Sequence, residues 1–246
     1  MRYVLANWKM YLAGDQAAEL LQTAQAGLAE RFPVGSEPPT LIVCPPFPSL
    51  APLGALVDRR LVRLGAQNCH WEAEGPYTGE VSPRMLAELV DYVLIGHSER
   101  RAAGERDAHI AKKVAAAAEA GLTPILFVGE DEPTSSATDE AERRLERGLI
   151  DVDLERHHVV IVYEPTWAIG ADRPADSGHV RGVVEQLKDR LDKLGAKRPE
   201  VIYGGTVNVH NVEQFTGVDV LDGVGATRGS LEASDLLQIV DRVARA

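Results

Sequence analysis

The sequence predicts an α/β chain closed into an eightfold (β/α)8 barrel, and three observations carry that prediction. Short apolar or β-branched runs recur eight times, Ala- and Leu-rich amphipathic stretches fall between them, and Gly or Pro bounds the runs. Runs of this length suit strands buried on both faces, as in a parallel sheet covered by helices. Eight alternations in 246 residues match the ~250 residues at which such a barrel forms one domain. The domain is therefore taken as residues 1–246. An open doubly wound sheet is the competing arrangement.

The first run, YVLA from Tyr3, is followed by DQAAELLQTAQAGLAERF, whose apolar residues stand three and four apart, the spacing of one helix face. TLIVC from Thr40, LVRLGA from Leu61 and YVLIG from Tyr92 are the next strands. ERDAHIAKKVAAAAEA reads as a helix that stops at Gly121, a residue type suited to the left-handed turn after a helix. PILFVG from Pro124 is the fifth strand, and DEAERRLERGLI is the helix after it. VVIVYE from Val159 is the sixth strand, and GHVRGVVEQLKDRLDKL then runs as a helix to a stop at Gly195. EVIYGG from Glu200 and DVLDGVG from Asp219 complete the eight.

Composition narrows the function. A formal charge of −11 argues against a nucleic-acid or anionic-membrane surface, since both need a basic footprint. It leaves room for a small anionic ligand, which a few aligned N–H groups and one Lys can hold. Two cysteines, Cys44 and Cys69, fall short of a disulfide or metal framework and read as reduced thiols of a cytoplasmic protein. No signal-peptide core opens the chain, and no run reaches the length of a membrane span.

A barrel places its functional residues at the C-terminal ends of the strands. Polar residues collect there: Asn7, Trp8 and Lys9 after the first strand, and Gln67 to His70 after the third. GHSERR (96–101) follows the fourth, Gly129-Glu130 the fifth and Glu164 the sixth. Gly204-Gly205-Thr206 follows the seventh, and GVGATRGSL (223–231) continues the eighth. Each has a plainer reading: a solvated Lys9, a capping His97, a Glu164 paired with an Arg, a mere tight turn at 204–206. Arg101 reads as part of an exposed first helical turn. His157-His158 precedes the sixth strand, at the opposite end, and reads as surface rather than as a metal pair. Together, however, a Lys, a His, an Asn and a Glu at four strand ends can converge on one carbonyl. The Glu can take a proton from carbon while the others hold the resulting oxyanion. Gly-containing loops after the last two strands form the usual phosphate cradle of such barrels. The constellation points to proton abstraction beside a carbonyl on a phosphorylated sugar.

ANWKM, GAQN, YTGEVSP, GHSERR, YEPTWAIG and YGGTVN occur in this order across nearly the whole chain. With them the sequence closely resembles the triosephosphate isomerase family. The resemblance implies a TIM barrel with Glu164 as the base, His97 as a neutral imidazole on the carbonyl, and Lys9 and Asn7 completing the oxyanion site. It implies Glu99 positioning Lys9, with Ser98 opening the helix that keeps His97 neutral. It further implies a lid of Pro165, Thr166, Trp167, Ala168, Ile169, Gly170, Ala171, Asp172 and Arg173, with Gly170, Gly204, Gly205 and Thr206 at the substrate phosphate. The loop around Thr78 would plug into a second subunit near Lys9 and Tyr11, making a homodimer. No cofactor or metal is implied, because the Glu and the oxyanion donors suffice.

The chain departs from the family pattern at four places. Thr227-Arg228 stands where the strand-8 loop is usually Gly-Gly, and both are candidate phosphate contacts. The lid ends in GADRPA, strand 5 carries Phe127 in place of Cys, and Tyr11 replaces a small polar residue. These changes spare the proton-transfer residues and alter the substrate end. They leave open a tetrulose-phosphate isomerase of the same family. A sugar-phosphate-binding pseudoenzyme and a Schiff-base aldolase using Lys9 are readings from other classes.

Overall fold

The computed structural model describes residues 2–134, 137–170 and 174–246. Eight strands close a barrel in sequence order, every neighbouring pair parallel, with β8 returning to β1. They are β1 (Tyr3–Asn7), β2 (Thr40–Cys44), β3 (Val62–Ala66), β4 (Tyr92–Ile95), β5 (Thr123–Val128), β6 (Val160–Tyr163), β7 (Val201–Tyr203) and β8 (Gly223–Ala226). β8 is shorter than the run DVLDGVG that announced it. The Asp222 carboxylate accepts the Val201 N–H at 2.9 Å, and the Asp222 N–H donates to Val201 O at 2.9 Å, so this residue is tied to the first residue of β7 just ahead of β8.

The helices are α1 (Gly14–Arg31), α2 (Phe47–Gly54), α3 (Pro83–Ala87), α4 (Ser98–Ala102), α5 (Asp107–Glu119), α6 (Ala137–Leu149), α7 (Ser177–Lys193), α8 (Val212–Thr216) and α9 (Ala233–Ala244). The four long periodic stretches are α1, α5, α6 and α7, as expected. Gly121 and Gly195 take φ of +84° and +87°, the left-handed turn that ends a helix. Helices of five residues, such as α3 and α4, span under two turns and leave no periodic trace in a sequence.

Side chains alternate along each strand between two layers. Leu5, Ile42, Leu94, Ile125, Val162 and Ile202 fill the barrel interior. The opposite faces pack under the helices in a larger apolar layer. No helix among the described residues is long and apolar enough to cross a membrane.

Two expectations need correction. Arg101 is not part of an exposed turn: it donates from Nε to Gly96 O at 2.9 Å and from Nη1 to Asp107 at 2.6 Å. The guanidinium spans α4 and α5, which a reading of α4 alone does not show. His157 and His158 are half-buried and not fully exposed: His157 Nε2 lies 3.0 Å from a carboxylate oxygen of Glu119 and His158 Nε2 2.8 Å from one of Glu200. Among the described residues, no group of three or more metal-type side chains stands together.

Candidate active site

A cleft of about 530 Å³ opens at the C-terminal ends of the strands. Asn7, Lys9, His97, Glu99, Glu164, Gly170, Gly204, Gly205, Thr206, Thr227 and Arg228 all reach it, from β1, β4, β6, β7, β8 and the segments after them. Nearly every proposed chemical group therefore comes to one place, although the residues lie up to 221 positions apart.

His97 and Glu164 form its centre. The His97 backbone caps α4, and its Nδ1 accepts the Glu99 N–H at 3.1 Å. A ring nitrogen that accepts a hydrogen bond carries no proton, so the neutral ring holds its hydrogen on Nε2. That Nε2 lies 3.2 Å from Glu164 Oε1. Burial, against Glu99, which raises it, and with a smaller contribution from Lys9, lowers the His97 pKa to about 4. The imidazole is thus neutral at physiological pH. Glu164 ends β6, is 5% exposed, and accepts the Ser98 N–H on Oε2 at 2.9 Å. Burial raises its pKa to about 7, against the Ser98 hydrogen bond and the Lys9 charge, which lower it. A carboxylate with such a pKa both accepts and returns a proton near neutrality.

Lys9 and Asn7 approach from β1. Lys9 is the one non-glycine residue with positive φ among the described residues, at +48°. Such a backbone is costly for an L-residue and recurs at functional sites. Two contacts hold it: the Lys9 N–H donates to Asn7 Oδ1 at 3.0 Å, and Gln67 Nε2 donates to Lys9 O at 2.8 Å. Lys9 Nζ then reaches Glu99 at 2.7 Å. Among the described residues the Asn7 side-chain NH2 has no partner, which leaves it free to donate into the cleft.

The segment after β6 is clipped to β7. The Thr206 hydroxyl donates to Ala168 O at 2.7 Å and accepts the Gly170 N–H at 3.1 Å. The Gly170 N–H, expected to face phosphate, is therefore engaged by Thr206. Farther on, the Ala175 N–H donates to the Tyr203 hydroxyl at 3.3 Å. Thr166 to Ala168 form one 3-10 turn after Pro165, and Ile169 borders the cleft. Ala171, Asp172 and Arg173 lie outside the described residues.

Backbone donors and one cation line the other side. The N–H groups of Gly205 and Val207 bond to no other described residue. Glycine at 204 and 205 is required by packing, since a Cβ would collide with Val162 and with Tyr203 respectively. The Thr227 and Arg228 side chains border the cleft, and among the described residues the Arg228 guanidinium has no ion-pair or hydrogen-bond partner. A second, smaller cleft of about 180 Å³ adjoins the first behind Lys9, His97 and Glu99, with Phe47 and Arg100 on its walls. Tyr11 is 60% exposed, and Thr78 is exposed as well.

The sequence reading gave Glu130 no role. Its Oε1 accepts from the Tyr163 hydroxyl and from Trp167 Nε1, both at 2.8 Å, and lies 3.2 Å from His179 Nε2. A fully buried carboxylate thus ties the 3-10 turn after β6 to β6 itself and to α7. Its signal was its place at the end of β5, where this architecture concentrates function. Gly225, which also lines the cleft, gave no signal, because an isolated Gly in a strand has many causes.

A family profile described as triosephosphate isomerase matches residues 2–243. The triosephosphate isomerase of Dehalococcoides mccartyi is 36% identical over 248 residues, covering 98% of this chain and 96% of that protein. That of Aquifex aeolicus is 36% identical over 247 residues, covering 97% of this chain and 98% of that protein. The crystal structure of triosephosphate isomerase from Bartonella henselae superimposes with a TM-score of 0.86 at 30% identity over 98% of both chains. A closed barrel with this cleft, matched over its whole length, identifies the chain as a member of the triosephosphate isomerase family of enzymes.

Proposed function

We propose that the protein interconverts glyceraldehyde 3-phosphate and dihydroxyacetone phosphate as a single catalytic domain, in the cytoplasm, within glycolysis and gluconeogenesis. The observation that carries this reading is the Glu164–His97 pair: a carboxylate with a pKa near neutrality beside an imidazole whose hydrogen is on the nitrogen facing it. A carboxylate base with a neutral imidazole is the well-known pattern of triosephosphate isomerases. Glu164 removes a proton from one carbon and returns it to the next. His97 Nε2–H, the Asn7 amide and Lys9 Nζ stabilise the enediolate oxygens. Glu99 holds Lys9, and Ser98 holds the Glu164 carboxylate in readiness. The lid from Pro165 to Arg173 excludes water, which protects an enediolate that otherwise eliminates phosphate. The experiment is the measurement of kcat/KM for glyceraldehyde 3-phosphate; absence of turnover by well-folded protein overturns the reading.

Phosphate binds between the lid and the loops after β7 and β8. The Gly205 N–H and the polar groups of Thr206 and Thr227 face it, the Gly170 N–H turns to it on release from Thr206, Gly204, whose own N–H is held by Tyr163 O at 2.8 Å, shapes the turn, and Arg228 supplies a cation that has no other described partner. Arg228→Gly raises KM for the triose phosphate by about tenfold, the scale of one charge-assisted hydrogen bond, with kcat nearly unchanged. An unchanged KM makes Arg228 a bystander.

The protein works as a homodimer. The segment around Thr78 of one copy enters the smaller cleft of the other, beside Tyr11, where Met10 and Phe47 also expose apolar surface. Sedimentation of the wild type as a dimer, and of Tyr11→Glu as mostly monomer with reduced kcat, is the expected result. A monomeric wild type removes the dimer from the account.

A further inference from the structure

Glycine occupies inward-facing positions of the barrel at Gly65, Gly204, Gly223 and Gly225. Packing explains the first three. Cys44 Sγ lies 2.6 Å from where a Cβ on Gly65 would stand, and Tyr3 Cβ lies 2.6 Å from the corresponding point on Gly223. Val162 occupies that point at Gly204. These glycines are small because a neighbour fills their space.

Gly225 is different. A Cβ there would meet nothing nearer than Gly204 Cα and Tyr203 O, both at 3.5 Å, with Leu5 O at 4.0 Å. Those are ordinary contacts. Nor does its backbone take the positive φ that favours glycine. Glycine in a strand interior weakens the strand, so the fold gains nothing from it here. What it leaves is room. With Gly223 and Gly225 at its inward positions, β8 sends no side chain into the barrel interior, and Gly225 opens directly onto the cleft.

The position of this recess decides its use. It lies beside Leu5 on β1, the strand that carries Asn7 and Lys9. It borders Gly204, whose own Cβ would stand 3.7 Å from Glu164 Cβ. Thr227 and Arg228 follow on the same chain at the rim. The recess is therefore between the anion-binding rim and the proton-transfer pair. Across the cleft Phe127 takes up space instead, its ring centroid 4.9 Å from that of His97. A longer carbon chain finds its room on the β8 side.

We propose that Gly225 is a specificity-determining residue and that its recess takes the extra hydroxymethine of a four-carbon ketose phosphate, one with a CHOH between the carbonyl and the phosphate-bearing carbon. The proposal rests on the isomerase reading above and widens its substrate class to tetrulose phosphates. The chemistry is unchanged and balanced. One C–H bond breaks at C1 and one forms at C2, both through Glu164. The hydroxyl proton passes from O1 to O2, and the ketose becomes an aldose with no oxidant or reductant.

The test compares wild type, Gly225→Ala and Gly225→Val, each checked for fold by circular dichroism and Tm. For each, kcat/KM is measured on glyceraldehyde 3-phosphate and on erythrulose 4-phosphate. Wild type is expected to isomerise both. Gly225→Val is expected to lower the four-carbon value about tenfold or more, the scale of one or two methylenes in a pocket, and to leave the triose value within about threefold. Should the Val variant fail to fold, Gly225→Ala, whose added atom meets only ordinary contacts, is expected to lower the four-carbon value alone by about threefold. Wild-type turnover of the triose but not the tetrulose overturns the proposal and leaves the isomerase reading standing. Equal losses on both substrates in the folded variants overturn it too. Turnover of neither substrate by the wild type defeats the isomerase reading itself.

Discussion

Glu164→Asp lowers kcat by about 10²-fold or more with little change in KM, because moving a reacting group by about 1 Å costs that much. The Asp carboxylate is one methylene shorter, so it no longer spans from the end of β6 to both the Ser98 N–H and the substrate carbon. Activity within a few-fold of wild type would remove Glu164 from the role of base. The same residue governs two pH effects. Its pKa of about 7 in the free protein makes kcat/KM rise as pH climbs through about 7 and level off above. It also sets a stability cost. The folded carboxyl holds its proton more tightly than the unfolded one, whose pKa is 4.5. Stability from this group is therefore fully present below 4.5 and is lost as pH rises through about 7. A shift of this size corresponds to about 3 kcal/mol. Glu164→Gln, neutral at every pH, should match wild type in stability near pH ~4 and exceed it by up to ~3 kcal/mol near pH ~8, less what Gln loses as a weaker acceptor of the Ser98 N–H. Urea unfolding at the two pH values measures the difference. An inactive but stabilised Glu164→Gln is the signature of a site whose chemistry is kept at the expense of stability.

His97→Gln lowers kcat by about 10²–10³-fold, the scale of losing one preorganised donor to a developing oxyanion. The imidazole is held by a short chain of constraints: α4 begins at Ser98, its Glu99 N–H bonds Nδ1, and Nε2–H is thereby aimed at the centre of the cleft. Gln offers an N–H of similar reach without that fixed orientation. The rise of kcat/KM through pH ~7 should persist in this variant, because it belongs to Glu164 and not to a ring whose pKa lies near 4. A His97→Gln variant of undiminished kcat would return His97 to the plain role of a helix cap, and a wild-type profile with no rise near pH ~7 would remove the raised pKa of Glu164 from the account.

Different levels of physics account for what was legible beforehand. Strand periodicity and Gly stops are local properties, so the eight strands and α1, α5, α6 and α7 could be read from composition along the chain. The gathering of Asn7, Lys9, His97 and Glu164 followed from topology alone, because a parallel barrel brings all its strand ends to one face. Arg101 was misread because its partners, Gly96 O and Asp107, belong to a turn and to the next helix. Glu130 stood at a legible position, but its three partners, Tyr163, Trp167 and His179, come from β6, the 3-10 turn after it and α7. Gly225 looked like any strand glycine until its neighbours showed which inward glycines are crowded and which one leaves room for a side-chain atom.

The sequence by itself determined the barrel, the order of its elements and the identity of the chemical groups, since these depend on periodicity and on residue type. Only the tertiary structure decided their state. The acceptor role of His97 Nδ1, the raised pKa of Glu164, the engagement of Gly170 by Thr206 and the recess at Gly225 all arise from burial and from contacts between distant segments. Desolvation and hydrogen-bond direction are properties of the assembled site, and no order of residues along a chain specifies them until the chain has folded.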